Sequence, residues 1–281
     1  MAVDTIVTGS KLTAIANALR AKLGSQDRYT LDQIATAIAT IPSGGGGSIA
    51  EQALYAGYNT TPDSRVDIAA GDWGSSDGTN TVVRAYAFGC ESASYQSSNR
   101  LRSVEFPAWV TQLDYRAFYY SSVQSLVASG STILSIGQGV FMYSKLTSLA
   151  LDRVVELHSY GSQFSMCTSL ATVDQKIMAK SGTTYVPGNC FSGCTSLRSV
   201  KLKSDASTIS FAVRALGGCT SLMELVLDFG VVASFTSNSL ADVPAGCEIY
   251  VRDALVAGYK AAQNLSDRSA HIHALSDYPV S

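Results

Sequence analysis

The chain has 281 residues, 46% of them hydrophobic and only 15% charged, with a formal net charge of −2. That length holds two ordinary domains, or one elongated domain with an appendage, and the polar surface must come from Ser, Thr, Gly and Tyr rather than from ions. With 20 basic against 22 acidic residues and no Lys/Arg cluster, nothing would release counterions from a phosphate backbone, so nucleic acid is not an expected partner.

The opening MAVDTIVTGSKL has no basic segment leading into an apolar one, so no secretion signal is read there. Residues 9–23 place Leu12, Ile15, Ala16, Leu19 and Leu23 at helical spacing, with Gly24 as the stop. Thr30 and Gln33 have capping-box spacing, and Leu31, Ile34, Ala35, Ile38 and Ile41 continue one apolar face up to Pro42. Residues 1–41 are therefore expected to be a helical hairpin, too small for a core of its own, whose stripe packs on a partner, on its own copies or on the rest of the chain. Residues 42–48, PSGGGGS, form a flexible linker and the clearest domain boundary.

Residues 49–87 are irregular, although Val82, Val83, Ala87 and Phe88 suggest a first, degenerate repeat. GDWGSSDGTN (71–80) lacks the ligand spacing and terminal Glu of a calcium loop and reads as a turn. From Leu101 a self-similar unit begins, with anchors at Leu101, Val123, Leu146, Leu170, Leu197 and Leu222, each followed three residues on by Val or Leu. The steps are 22, 23, 24, 27 and 25 residues, and such a period marks stacked units that bury their apolar faces only against neighbours. Five or six residues before the later anchors stand Phe118, Phe141, Phe164, Phe191 and Leu216, whereas Phe88 precedes Leu101 by 13, which implies an inserted loop at Glu91 to Arg100. Three residues after the aromatic position come Cys167, Cys194 and Cys219, a column explained by packing, while earlier repeats carry Ser121 or Ser144 and Gln175 replaces a third Leu. Ala117 to Ser144 contains no charge, but its Ser, Gly and Gln content and its repeat register argue against a membrane span. The end, from 248 to 281, reads as a strand (Ile249 to Val251) and a helix with Leu255, Tyr259 and Ala262 on one face, a terminal cap to the solenoid of 49–247.

The pattern aromatic-x-x-Cys-Thr-Ser-Leu-x-x-Val-x-Leu, as in Phe191 to Leu202, resembles the BspA-like class of leucine-rich repeat. The resemblance implies an α+β repeat fold, a leucine-rich-repeat solenoid with an N-terminal helical hairpin and a C-terminal strand-helix cap. Residues 9–48 resemble the N-terminal module of tail and baseplate-associated proteins of phages and prophages of Gram-positive bacteria. Together the two imply a virion tail, baseplate or fibre component, held to other tail proteins through the hairpin, with a trimer as the favoured homo-oligomer, and binding a bacterial surface glycan or protein. A bacterial cell-surface adhesin of the same repeat class is the alternative, and a surface-polysaccharide hydrolase the third reading.

No catalytic constellation competes. His158 has no nearby nucleophile elbow, Cys190 and Cys194 lack further zinc ligands at short spacing, and Glu105, Asp152, Glu156, Asp174 and Asp228 show no pairing by register. His271 and His273 would share one side of a strand, where a trimer could gather them around a metal, but a solvated polar tail is the simpler reading. No cofactor or metal is expected. Tyrosine beside serine does stand out, at Tyr115, Tyr119, Tyr120, Tyr143 and Tyr160; such pairs join rigid contact area to adaptable polar contacts, as in antibody paratopes. These five are the candidate receptor-binding residues, with core filling as the competing role. The solvent-facing strand positions Glu105, Val127, Ala150, Asp174, Lys201 and Val226 form a second candidate face.

Overall fold

A Leu-x-x-Leu-x-Leu unit puts alternate side chains on one face of a strand, and that face must be covered by another element. The computed structural model describes residues 64–67, 82–83, 88–89, 101–106, 110–128, 130–178 and 183–279. The hairpin of 1–41, the linker of 42–48, the turn of 71–80 and the inserted loop of 91–100 lie outside the described residues. In chain order the first strands are β1 (Ser64–Asp67), β2 (Val82–Val83), β3 (Leu101–Phe106), β4 (Gln112–Leu113), β5 (Ser125–Ala128), β6 (Leu134–Ile136), β7 (Ser148–Leu149) and β8 (Val155–Leu157). They continue with β9 (Thr172–Met178), β10 (Thr183–Val186), β11 (Ser199–Ser204), β12 (Thr208–Phe211), β13 (Glu224–Phe229), β14 (Ser234–Phe235), β15 (Glu248–Val251) and β16 (Ile272–Ala274).

These strands wind into a β-solenoid of about seven turns with two strands in most turns. On the first face β1, β3 and β5 pair in parallel, as do β7, β9, β11, β13, β15 and β16. Thr147 links the two groups, its N–H and its hydroxyl both donating to the Gln124 carbonyl at 3.0 Å. On the second face β2, β4, β6 and β8 pair in parallel and the end of β9 continues them, whereas β10, β12 and β14 form a separate sheet. The extra strands escape sequence periodicity because a segment such as Gln112–Leu113 has one buried position, too few to show alternation.

Inside, the rings of Phe88, Phe118, Phe141, Phe164 and Phe191 form one stacked column with successive centroid distances of 4.8, 5.1, 5.5 and 5.2 Å. Their turns are stitched by backbone bonds. The N–H groups of Phe118, Phe141, Phe164 and Phe191 donate to Val140, Gln163, Cys190 and Ala215 in the following repeat at 2.8–2.9 Å. Thiols run the opposite way: Cys167, Cys194 and Cys219 donate to the carbonyls of Phe141, Phe164 and Phe191 in the preceding repeat at 3.0–3.2 Å. The cysteine register is thus a hydrogen-bond register as well as a packing one, and at the same register Ser144 bonds the sulfur of Cys167 in the following repeat at 3.3 Å. The five described cysteines, Cys167, Cys190, Cys194, Cys219 and Cys247, are free thiols and buried.

Gln175 occupies the core row that Leu202 and Leu227 fill in the next repeats. Its side-chain oxygen accepts from the Leu151 N–H at 3.0 Å and its nitrogen donates to the Arg153 carbonyl at 2.6 Å. The departure from leucine therefore satisfies backbone groups of the short turn between β7 and β8, which a buried backbone requires.

At the far end the expected helix is shorter than its sequence suggests. A 3-10 turn (Asp253–Leu255) leads into α1 (Val256–Lys260), which buries Tyr259, with Leu255 and Ala262 half-buried beside it. Three side chains then reach back to backbone carbonyls: Tyr259 to Val231 at 3.2 Å, Asn264 to Phe235 at 2.7 Å, and Arg268 to Pro244 and Val243 at 2.7 and 2.9 Å. What reads as a polar tail around His271 is the last strand of the first face, with Ile272 buried against Ile249 of the adjacent strand.

Gln175→Leu restores the repeat consensus yet is expected to lower stability by about 1–3 kcal/mol, because buried backbone groups lose their partner; a higher urea midpoint than the parent would refute this account. Burial pushes the Cys219 and Cys247 thiols up to about 12 from an ordinary 9.0. In a Cys90→Ser background, which removes the one cysteine outside the described residues, the native chain is expected to leave Ellman's reagent unreacted at pH 8 and to release five thiols in guanidinium. The same shift has a thermodynamic sign. The unfolded chain loses these protons first, so their contribution is complete below about pH 9 and lost as pH climbs toward 12.

Candidate functional site

Each of the five turns from Phe118 to Leu216 carries two residues in the left-handed region, two positions before its buried Phe or Leu and two after it. Before it stand Arg116, Gly139, Ser162, Asn189 and Arg214; after it stand Tyr120, Tyr143, Met166, Gly193 and Gly218. This alternation lets three N–H groups per turn point at the next repeat, as those of Arg116, Phe118 and Tyr120 do toward Gln138, Val140 and Met142. In the later repeats the second of these positions is glycine, which adopts it without cost. Tyr120 and Tyr143 sit there with φ of 51° and 62°, a conformation that costs a residue with a Cβ about 1–2 kcal/mol.

The side chains so placed form a ridge on the outside of the turns. Tyr120 and Tyr143 stack at 4.4 Å, and Tyr119 meets them edge-on at 4.6 and 5.9 Å. The Arg116 guanidinium lies 5.0 Å over the Tyr115 ring and 4.5 Å over that of Tyr119, a cation–π arrangement that holds the arginine extended along the ridge. Core filling falls instead to the phenylalanine column: Phe118 and Phe141 are fully buried, and the four tyrosines are half-buried. Contact with its neighbours raises the Tyr120 phenol above its ordinary 10.0, through desolvation first and then through Tyr143 and Tyr119, so the phenol is uncharged at neutral pH. Tyr160, 73% exposed, belongs to a separate pair, stacked on His158 at 4.9 Å.

Sequence reasoning missed Arg116, although the spacing two residues before Phe118 is where it could have been found. It also misplaced Val226. That residue, expected on the solvent-facing row with Lys201, is only 6% exposed. Between Lys201 and Tyr250 in the sheet register, it lies where the C-terminal segment returns: Tyr278 donates to Glu224 at 2.9 Å, meets Tyr250 edge-on at 4.9 Å and carries the Lys201 ammonium 4.7 Å over its ring. Asp174 and Asp228 on this face pair with Lys203 at 3.2 Å and Arg252 at 2.7 Å.

The two histidines do share one side of a strand, and a carboxylate lies between them. His271 Nδ1 is 3.0 Å from one oxygen of Glu248 and His273 Nε2 is 2.5 Å from the other. The His271 bond, and then that of His273, holds the Glu248 carboxyl below its ordinary 4.5. Among the described residues no group of three or more His, Cys, Asp or Glu is placed to hold a metal ion, and none of their helices is long and apolar enough to cross a membrane.

The family model described as the BspA type leucine rich repeat region matches residues 90–177 and 174–241, in six copies. No curated protein matches the chain. Since the matched residues span more than half of the chain and follow the strand and turn registers described above, the chain belongs to the BspA-type leucine-rich-repeat family.

Proposed function

We propose that the chain is a non-catalytic adhesive module whose recognition surface is the ridge of Tyr115, Arg116, Tyr119, Tyr120 and Tyr143, with Tyr160 and His158 as an outlying contact. The observation that carries this reading is the strain. Aromatic rings stand at left-handed positions where later repeats use glycine, and backbone strain of this kind collects at functional sites. The rings join apolar area to phenolic hydroxyls at low entropic cost, which suits a bacterial surface glycan or protein. Residues 248–279 act as the cap of the solenoid, through the side chains that take up carbonyls a further repeat would otherwise meet.

The carrier is a virion tail, in the baseplate or a fibre, with residues 1–41 as the attachment and homo-trimerisation module and residues 42–48 as the hinge. The resemblance of residues 9–48 to tail modules supports this part of the reading. A cell-surface adhesin of the same family uses the ridge in the same way.

Tyr120→Gly with Tyr143→Gly relieves both strained positions, so the double variant is expected to keep or raise its melting temperature while binding of the labelled chain to a panel of Gram-positive cells falls at least tenfold. Unchanged cell binding would remove the ridge from the account. By light scattering, the full chain is expected to be trimeric and residues 49–281 monomeric; equal masses per chain in both would rule out assembly through the hairpin.

A further inference from the structure

Two departures from the repeat pattern converge behind one groove. On the second face, Gln112, Ser135, Glu156 and Met178 stand in register on four neighbouring strands, β4, β6, β8 and the end of β9. With Thr111 and Ile133 they line a groove of about 270 Å³. Four strands spaced by about 4.8 Å make it roughly 14 Å long. Met178 reaches it because β9 runs past the first face and pairs with β8 through Ile177 and Met178.

The groove is braced from inside the core. Arg153, 1% exposed, donates from Nε to the Thr132 carbonyl at 2.8 Å and from Nη2 to the Thr132 hydroxyl and the Ile133 carbonyl at 2.7 and 3.2 Å. The Arg153 carbonyl in turn accepts from Gln175 at 2.6 Å. A buried guanidinium is a poor way to gain stability, since apolar residues of similar volume commonly do better. Here it fixes the backbone of one groove wall from behind, as a preorganised binding site needs, and sites where a sequence breaks its own local rule are where function is expected.

The lining defines the ligand. An amide, two hydroxyls and a carboxylate offer donors and acceptors, while Ile133 and Met178 offer apolar surface. Sugar rings ask for both, with hydroxyls at the edge and C–H groups on the face. Among the described lining residues Glu156 is the only charged one, and none of them compensates a phosphate, sulfate or carboxylate. We propose that this groove binds a neutral mono- or disaccharide, with the Glu156 carboxylate accepting from adjacent hydroxyls and Gln112 and Ser135 bonding further along. The site lies on the strands of the second face, apart from the turn ridge, and does not depend on the ridge being an adhesive surface.

Saturation-transfer NMR of the full chain with maltose, cellobiose, lactose and diacetylchitobiose tests it, with sialyllactose as the anionic counterpart. Transfer to at least one neutral disaccharide is expected, with sialyllactose at least tenfold weaker than lactose. Ser135→Trp, which fills the groove, is expected to abolish transfer. Glu156→Gln, nearly isosteric, should weaken binding at least tenfold with an unchanged melting curve, and Tyr120→Gly should leave binding intact. Silence from all four neutral sugars, sialyllactose binding as well as lactose, or binding that survives Glu156→Gln overturns the proposal. Transfer lost in Tyr120→Gly but kept in Glu156→Gln overturns it too, and assigns the sugar to the ridge.

Discussion

Every turn of this solenoid has to hand its N–H groups to the turn that follows, and most of the structure obeys that demand. Three donors per turn can point the same way only if the backbone alternates into the left-handed region on both sides of the aromatic residue, as around Phe118, Phe141, Phe164 and Phe191. The aromatic side chain is then driven inward, where it stacks on the ring below, and the residue two positions later is driven outward. Core and surface are therefore coupled through one backbone geometry. The cysteine register completes the circuit, since its thiol adds a second hydrogen bond to the carbonyl of the previous aromatic residue.

Seen this way, it is clear why some features were legible in the sequence. The leucine anchors and the phenylalanine column recur at a fixed offset and bury the same face each time, so periodicity exposes both. The Cys-Thr-Ser-Leu segments are legible for the same reason. The short strands of the second face were not, because Gln112–Leu113 or Ser234–Phe235 contributes one buried residue and leaves no alternation to read. The tyrosines were ambiguous because their distance from the aromatic register decides everything: Tyr120, two residues past Phe118, points out, and only the left-handed backbone makes that definite. His271 and His273 looked like a solvated tail because a three-residue strand carries no pattern, and its partner Glu248 lies more than twenty residues earlier.

Departures from a repeat consensus divide into those that repair the fold and those that serve something else. Ser144 repairs, since its buried hydroxyl bonds the sulfur of Cys167 in the following repeat. Gln175 does both, pairing backbone groups of a short turn while anchoring Arg153. Tyr120 and Tyr143 repair nothing that glycine would not handle with less strain, and Arg153 holds the Thr132 and Ile133 carbonyls at the cost of desolvating a cation. Their presence needs a cause outside stability, and recognition, as proposed for the ridge and for the groove, would supply one.

The distribution along the chain carries the argument further. Strained tyrosines, the arginine over their rings, the buried guanidinium and the glutamine all fall between Asp114 and Gln175, whereas the following turns, FSGCTSL and LGGCTSL, use glycine at the second left-handed position and leucine in the core row. A solenoid contacts only its neighbours, so stability is nearly additive along it, and regular repeats can support irregular ones next to them. The regular block from Val186 to Val251 thus stabilises a neighbour that sacrifices stability for chemistry. The ridge turns follow directly from the groove strands, Gln112 to Tyr115 and Ser135 to Tyr143, so one stretch of chain carries both surfaces.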